Sequence, residues 1–235
     1  MRSARGADAG NPTRQKIVAA AAELFYEKGY HATTTREIAA RLEMTAASLY
    51  NHFPAKEDIL FEITLVTMEE LLAGGRAAIG TAATTAGQLR RLVEWHVRYS
   101  AERRLQAKVA DEQLHALNPD RRRQVVAKRD EYEQLFRDIL TRGRDQDGWQ
   151  IDDIPVVTFA IATMSSAVGV WFRETGRLSA DAVASIYGDI ALRAAGQPQP
   201  VPLALAGPPA ASHRRTAQGN PRRPVRGTRR STEIA

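Results

Sequence analysis

Hydroxyl, amide, imidazole and ammonium side chains are concentrated in one stretch of this 235-residue chain, between Thr34 and Lys56. These groups suit hydrogen bonds and ion pairs to phosphate oxygens and base edges. No GxSxG, phosphate-loop or dinucleotide-binding motif is present in or around this stretch. Its polar residues are interleaved with apolar residues at helical spacing, so the helices that carry them decide what the stretch can contact.

Capping residues divide the stretch into two short helices. Thr34 and Glu37 form the sequence pattern of a capping box, which predicts a helix that begins at Thr35. Thr45 is a suitable N-cap for a second helix from Ala46 to about Phe53. Two short helices joined by a tight turn are typical of a helix-turn-helix, which we place at residues 34–53.

The second helix has one apolar face and one outward face. Leu49 and Phe53 are four residues apart, so both side chains are expected to face inward. The same spacing leaves four residues on the outer faces, namely Ala46, Ala47, Tyr50 and Asn51. In a helix-turn-helix, the N-terminal residues of this second helix, the recognition helix, enter the DNA major groove.

Residues 11 to 71 resemble the N-terminal signature of TetR/AcrR-type transcriptional repressors. The resemblance rests on Arg14, Ile17, residues 20–22, Leu24, Phe25, residues 28–30, Thr34, Thr35, Ile38, Ala39, Leu49, Tyr50, His52, Phe53 and Lys56. Two positions depart from the pattern, because Glu43 stands where Gly is usual in the turn and Pro54 where a small polar cap is common. Neither departure removes a group that contacts DNA.

The resemblance, together with the outward spacing, predicts a set of DNA contacts. Thr34, Thr35, Tyr50, His52 and Lys56 are expected at phosphates and Arg36 at a base. The remaining members of the set are Thr45, Ala46, Ala47, Ser48 and Asn51, of which Ala46, Ala47 and Ser48 would face the bases. Capping alone is an equal alternative for Thr34 and Thr45, and half-buried packing is the alternative for Tyr50.

Helical periodicity continues along the rest of the chain and no alternating strand pattern interrupts it, so the sequence predicts an all-α protein of about nine helices. A helix from 57 to about 72 is expected to stop at Gly74-Gly75. A later helix is expected to begin at Asp153 and to continue to about Thr175.

The predicted organisation is a flexible arm (1–10), a DNA-binding domain of three helices (11–71), a larger helical ligand-binding and dimerisation domain (72–196) and a disordered Pro/Arg-rich tail (197–235).

The tail carries the charge of the protein. Residues 197–235 contain seven arginines and one acid, and their net charge of +6 equals that of the whole chain. The folded part is therefore close to neutral, and its affinity for DNA would come from the placement of charge. The alternative is a protein that binds nucleic acid non-specifically through this tail.

Residues 154–172 are uncharged and long enough for a membrane span, but polar residues and Pro155 within the segment favour a buried helix. A helix that is apolar all round needs cover on every side, so one face is expected to meet a second subunit. Ala160, Thr163 and Ala167 would permit close approach. The resemblance implies the same, since TetR-type repressors dimerise through their last two long helices.

Bulky or adaptable side chains of the C-terminal body are predicted to face inward and to line an apolar ligand cavity: Trp95, His96, Tyr99, Phe159, Met164 and Trp171. Ordinary core packing is the alternative for each of them. Segments 118–140 and 170–196 are similar to actinobacterial TetR-type repressors of lipid and sterol catabolism, which sense acyl-CoA thioesters. The expected effector is a fatty or steroid acyl-CoA, and another small apolar ligand is the alternative.

A catalytic function is disfavoured. The chain has no cysteine, which excludes thiolate metal sites and a cysteine nucleophile and fits a reducing cytoplasm. Glu112 and His115 form half of a di-iron motif, but no second Glu-x-x-His exists, so a polar helix face is the simpler interpretation.

We expect a cytoplasmic, nucleoid-associated homodimer that binds double-stranded operator DNA and a small apolar effector. We expect neither an enzyme nor a membrane protein, and no metal or cofactor.

Overall fold

The computed structural model describes residues 11–197, and this part of the chain is all-α, as the sequence predicts. It contains nine α-helices and one short 3-10 turn, Leu114–Ala116. The predicted arm, and the predicted tail from residue 198 onward, lie outside the described residues. The helices are α1 (Pro12–Lys28), α2 (Thr35–Arg41), α3 (Ala46–His52), α4 (Lys56–Gly80), α5 (Thr85–Glu102), α6 (Arg104–Glu112), α7 (Pro119–Gln146), α8 (Ile154–Trp171) and α9 (Ala180–Ala194).

Local hydrogen bonds start the first three helices, and the second and third begin where the sequence predicts. The Asn11 side chain accepts from the first-turn amides of α1, and Thr34 and Glu37 form a complete capping box on α2. Thr45 accepts from the Ser48 amide at the start of α3. The helices then bury one shared core, whose largest side chains include Phe25, Ile38, Leu49 and Phe53. This core fixes α3 relative to α1 and α2.

The turn between α2 and α3 contains a strained residue. Glu43 has a φ of +54°, and it is the one residue other than glycine with positive φ in residues 11–197. For an L-residue this conformation costs about 1–2 kcal/mol, a cost that glycine avoids. Glu43, where the family pattern has Gly, therefore lowers the stability of the folded protein, but it leaves the turn intact.

Replacing Glu43 with Gly is expected to raise the free energy of unfolding by about 0.5–1 kcal/mol, because relief of the strain exceeds the added entropy of the unfolded chain. Glu43→Ala is the matched control, since it removes the same exposed carboxylate but keeps the strain. Urea unfolding of the three proteins measures the difference. An equal gain from Ala would show that the carboxylate, and not the backbone, is responsible.

Helix α4 is longer than the sequence predicts. It runs through Gly74 and Gly75 to Gly80, so the expected stop at residue 72 is wrong. A Cβ added at Gly74 would lie 2.1 Å from the indole of Trp95, and one at Gly75 would lie 2.9 Å from the Tyr132 ring. The glycines therefore serve close packing against α5 and α7. The helix crosses the predicted domain boundary at 71/72 without interruption, and that boundary stays a prediction.

Helix α8 ends earlier than the sequence predicts, at Trp171 and not near Thr175. The backbone becomes extended at Phe172, whose side chain is buried. The Arg173 guanidinium donates to the carbonyls of Phe172 (2.8 Å) and Val170 (3.3 Å), which satisfies acceptors freed at the helix end. The free energy gained by burying the Phe172 side chain thus exceeds what would be gained by continuing the helix through the charged residues that follow.

Helix α8 is mostly uncovered in the single chain. Only 28% of its residues are buried, so the expectation of a buried helix does not hold for one subunit. The largest exposed apolar side chains of α8 and α9 form what we call the apolar face: Val156 (64% exposed), Phe159 (69%), Val170 (58%), Trp171 (50%) and Ile186 (44%). The small residues Ala160, Thr163 and Ala167 are also exposed.

Among residues 11–197, α8 is the one helix long and apolar enough to cross a membrane by length and composition, and a single such helix is weak evidence for a span. Its spacing is more informative. The exposed positions recur every three or four residues, so they form a continuous stripe along one side of the helix. An apolar stripe of this kind is typical of a surface that packs against another protein.

Candidate nucleic-acid interface

The outer surface of α3 carries the residues expected to face DNA. Ala47, Tyr50 and Asn51 are exposed and Ala46 and Ser48 are partly exposed. Leu49, on the opposite side, is fully buried. The recognition helix therefore presents small side chains near its N-terminus and larger polar ones one turn later. Tyr50 is 46% exposed, so its phosphate contact and the half-buried packing alternative both stay predictions.

One hydrogen bond joins the two helices of the motif at this surface. The hydroxyls of Thr35 and Tyr50 lie 2.9 Å apart, so the N-terminus of α2 is tied to the outer face of α3. Both hydroxyls keep further capacity to bond a phosphate, because a hydroxyl can donate once and accept twice. The Arg36 side chain is exposed on α2 beside this pair in sequence.

The hydroxyls of Thr34 and Thr45 are engaged in capping. Thr34 Oγ1 accepts from the Glu37 amide (3.2 Å) and donates to its carboxylate (2.9 Å), while Thr45 Oγ1 accepts from the Ser48 amide (3.1 Å). The hydrogen bond from Lys28, together with those from Thr34, lowers the pKa of Glu37 to about 2. Both threonines are exposed, so a phosphate contact in addition to the cap stays a prediction.

Lys56 has an intramolecular role that the sequence did not indicate. Its ammonium donates to the carbonyls of Tyr30 (2.7 Å) and Thr33 (2.8 Å) and lies 4.3 Å from the centroid of the Tyr30 ring. Burial lowers the pKa of this ammonium. Lys56 thus fastens the start of α4 to the loop that precedes α2, and its predicted phosphate contact would use the third donor.

Arg14 holds the recognition helix from behind, a role that sequence reasoning missed. Its guanidinium binds both carboxylate oxygens of Glu62 (2.8 and 2.5 Å) and donates to the His52 carbonyl at the end of α3 (2.8 Å). It also lies 4.0 Å from the centroid of the Phe53 ring. One side chain on α1 therefore connects α3 to α4. Its presence in the family signature was the available signal.

Replacing Arg14 with Ala is expected to lower the free energy of unfolding by about 3 kcal/mol, because a bidentate, largely buried pair loses one partner and Glu62 keeps its charge. Urea unfolding measures this loss. Arg123→Ala is the matched control, since it breaks an ion pair to Asp120 that is more than 70% exposed on each side. Its expected cost is below about 1 kcal/mol. Equal losses in the two variants would contradict the assignment.

The start of α4 is also bound to the C-terminal body. Arg121, in the first turn of α7, pairs with Glu57 (3.6 Å) and with Asp58, and its guanidinium lies 5.2 Å from the centroid of the Phe61 ring. The amide of Asn118 donates to the Glu57 carboxylate (2.9 Å). Helix α4 is therefore held by the recognition helix through Arg14 and by α7 through Arg121. This is the arrangement expected of a lever between the two parts.

Comparisons with known proteins agree with this geometry. Residues 17–63 match the model of the bacterial regulatory proteins of the tetR family, and residues 82–195 match the tetracyclin repressor-like C-terminal domain. A solved bacterial regulatory protein of the tetR family from Rhodococcus RHA1 is 31% identical, with a TM-score of 0.76 over 80% of this chain and 100% of that one. The chain belongs to the TetR family.

Two further relatives of this TetR-family protein are informative. The transcriptional repressor KstR2 of Rhodococcus jostii is 28% identical over 189 residues, which are 79% of this chain and 92% of that protein. AibR, solved in complex with isovaleryl coenzyme A and operator DNA, shares the fold at 23% identity, with a TM-score of 0.69 over 75% of this chain and 96% of that one. Like other members of the family, the chain is a helix-turn-helix DNA-binding regulator of transcription.

Within the C-terminal body of this TetR-family chain, the predicted cavity residues do not form one group. His96 is buried, Trp95 donates its indole N–H to the Leu71 carbonyl (3.1 Å) and Tyr99 donates its hydroxyl to Glu70 (2.8 Å). Trp95 and Tyr99 thus tie α5 to α4. Met164 is partly buried and packs against the core.

The prediction that Phe159 and Trp171 face inward is wrong. Both belong to the apolar face, where 69% and 50% of their surfaces are exposed. On a helix with no charged residue, periodicity does not distinguish the side that meets the core from the side that meets a partner, because both are apolar.

The residues around His96 form a buried cluster with unpaired polar atoms. Its Nε2 lies 3.0 Å from the Ser166 hydroxyl, and its ring contacts that of Tyr132 edge-on, with centroids 5.4 Å apart. His96 Nδ1 and the Tyr132 hydroxyl have no hydrogen-bond partner in the described structure. Burial lowers the pKa of His96 to about 4. A ligand that separated the side chains of this cluster could form hydrogen bonds with these two unpaired atoms.

The half-motif Glu112-x-x-His115 lies on a polar surface. Glu112 pairs with Lys108 (3.6 Å), the neighbouring Asp111 pairs with Arg129 (3.0 Å), and Glu112 and His115 are exposed. The His115 ring lies 6.5 Å from that of His31. Within residues 11–197, no three His, Cys, Asp or Glu side chains are placed to hold a metal ion.

Proposed function

We propose that the protein is a homodimeric repressor that binds a palindromic operator and is released from it by a fatty or steroid acyl-CoA. The apolar face of α8 and α9 is the observation that carries the proposal. Phe159 and Val156 are each more than 60% exposed, and solvation of a continuous apolar stripe is unfavourable. A second copy would cover this stripe with an identical one about a two-fold axis.

A two-fold dimer turns one recognition helix into two. If α3 of each subunit enters successive major grooves on one side of the duplex, the two helices lie about 34–36 Å apart and require a palindromic site. The proposed contacts are those predicted from the sequence, with Ala46, Ala47 and Ser48 at bases and Thr35 and Tyr50 at phosphates. Since Ala and Ser read few base-edge features, the shape of the DNA would supply part of the specificity.

The path from effector to DNA would run through α4. It packs against α5, α6 and α7 in the body, while Arg14 and Lys56 bind it to the DNA-binding motif. A ligand that binds better to a form with a different tilt of α4 shifts the population away from the spacing that fits the operator. Repression is supported by KstR2, which is named a transcriptional repressor, and the effector class by AibR, whose similar fold was solved with isovaleryl coenzyme A.

A nuclease footprint on the DNA upstream of the gene, near physiological salt, tests the proposal. The full chain and a chain that ends at Gly196 should both protect one short palindrome, and added acyl-CoA esters should remove the protection. Loss of all protection in the shortened chain, with equal binding of random duplex by the full chain, would favour the tail-driven non-specific alternative. Protection that is removed by an apolar compound lacking coenzyme A would assign a different effector.

A further inference from the structure

A basic cleft lies at the elbow between α5 and α6. It has a volume of about 480 Å³ and is lined by residues 101–106 on one side and by residues 172–175, which follow α8, on the other. The helices meet closely here, because a Cβ at Gly169 would lie 3.0 Å from the Ser100 carbonyl oxygen. The cleft is therefore built on packed helix ends and not on a loop alone.

Three arginines line the cleft, together with two carboxylates, Glu102 and Glu174. Arg104 and Arg173 each donate to the Phe172 carbonyl, at 3.4 and 2.8 Å, and Arg103 is exposed. In the part of the chain that the structure describes, none of these three guanidinium groups forms an ion pair with a carboxylate. Other arginines of the C-terminal body, such as Arg90, Arg121 and Arg137, do form such pairs.

The start of α6 adds hydrogen-bond donors to the cleft. This nine-residue helix begins at Arg104, and no side chain caps its N-terminus. First-turn amides without a side-chain cap can donate to an anion, while the C-terminus of α5 directly before them offsets the helix dipole. Since guanidinium groups bind phosphate oxygens in a bidentate manner, the arginines and the helix end suit the same class of ligand.

We propose that this cleft binds the diphosphate of the coenzyme A portion of the effector, while the acyl chain enters the apolar body. The inference rests on the proposed acyl-CoA response and names the site that would recognise its charged end. Arg104 connects the cleft to the DNA-binding part, because its guanidinium lies 5.7 Å from the centroid of the Tyr26 ring on α1. Occupation of the cleft would thus act on a side chain that already contacts the DNA-binding motif.

Calorimetric titration of the full chain with free coenzyme A, and separately with inorganic pyrophosphate, tests the site. The chain has no cysteine, so the thiol of the probe cannot form a mixed disulfide with it. Replacing both Arg103 and Arg173 with Ala is expected to weaken the binding of both probes roughly tenfold or more. Arg193→Ala is the matched control, because this exposed arginine near the end of α9 lies outside the cleft lining.

Each result decides between the site and the wider proposal. Absence of coenzyme A binding, or equal binding by the wild type and the double variant, overturns the cleft. If acyl-CoA nevertheless removes the operator footprint, the proposed function stands without this site. Arginine-dependent binding of coenzyme A with no footprint would support the cleft and reject the proposed function. Coenzyme A binding that depends on the arginines without pyrophosphate binding would overturn the diphosphate as the recognised group.

Discussion

Replacing Phe159 with Asp is expected to convert the proposed dimer into a monomer and to lower operator affinity by about 100-fold or more. Phe159 is the most exposed large apolar residue among those described, on the stripe that would meet its copy across the two-fold axis. By symmetry, one substitution places two unpaired carboxylates in the interface. A monomer presents a single recognition helix, so it loses the second half-site.

Sedimentation equilibrium and the operator footprint measure the two effects. Val126→Asp is the matched control, because Val126 is an exposed apolar residue (37%) on α7, outside the apolar face. It should remain dimeric and bind DNA as the wild type does. A Phe159→Asp protein that stays dimeric would show that the subunits meet elsewhere, and the apolar face would then lose its assigned role.

The stability of the protein is expected to fall by about 3 kcal/mol as the pH is lowered from 6.5 to 4, through His96 alone. The pKa of His96 is lowered by burial to about 4 in the folded state, against 6.5 for an exposed histidine. Between these values, the unfolded chain binds a proton that the folded chain does not, so stability decreases as the pH falls. The contribution is fully present above pH 6.5.

Urea unfolding of the wild type and of His96→Gln over this pH range isolates the effect. Carboxylates also titrate below about pH 5, but they do so in both proteins, and the difference between the two pH profiles belongs to His96. A His31→Gln protein is a second control, since that histidine is exposed. Parallel profiles for the wild type and His96→Gln would contradict the burial of a neutral imidazole.

Much of the fold is specified by short-range chemistry that the sequence displays. Asn11, Thr34, Thr45, Asn118 and Ser179 each cap the helix that follows, and the caps at Thr34 and Thr45 are those predicted above. Each cap uses a side chain and an amide no more than three residues away, so no knowledge of distant packing is needed. For the same reason, the outward face of α3 followed from the burial of Leu49 and Phe53.

The helix ends predicted from the sequence were wrong at two places, one involving glycines and one involving an aromatic residue. Gly74 and Gly75 were read as a stop, but they lie inside α4 because Trp95 and Tyr132 need the space that a side chain would fill. Phe172 ended α8 early because its side chain is buried. In both cases a contact from a distant helix outweighed the local preference.

The sequence alone therefore determined the helix starts, the helix-turn-helix and the all-α class, because these depend on neighbours along the chain. The tertiary structure decided which side of α8 is left uncovered, how Arg14 and Arg121 bind α4 from two sides, and where Arg103, Arg104 and Arg173 meet. The distance in sequence between Arg14 and Glu62, or between Arg104 and Phe172, carries no periodic signal. Such pairs form only when packed helices bring them together, so the route proposed for coupling between effector and DNA could be inferred only from the folded chain.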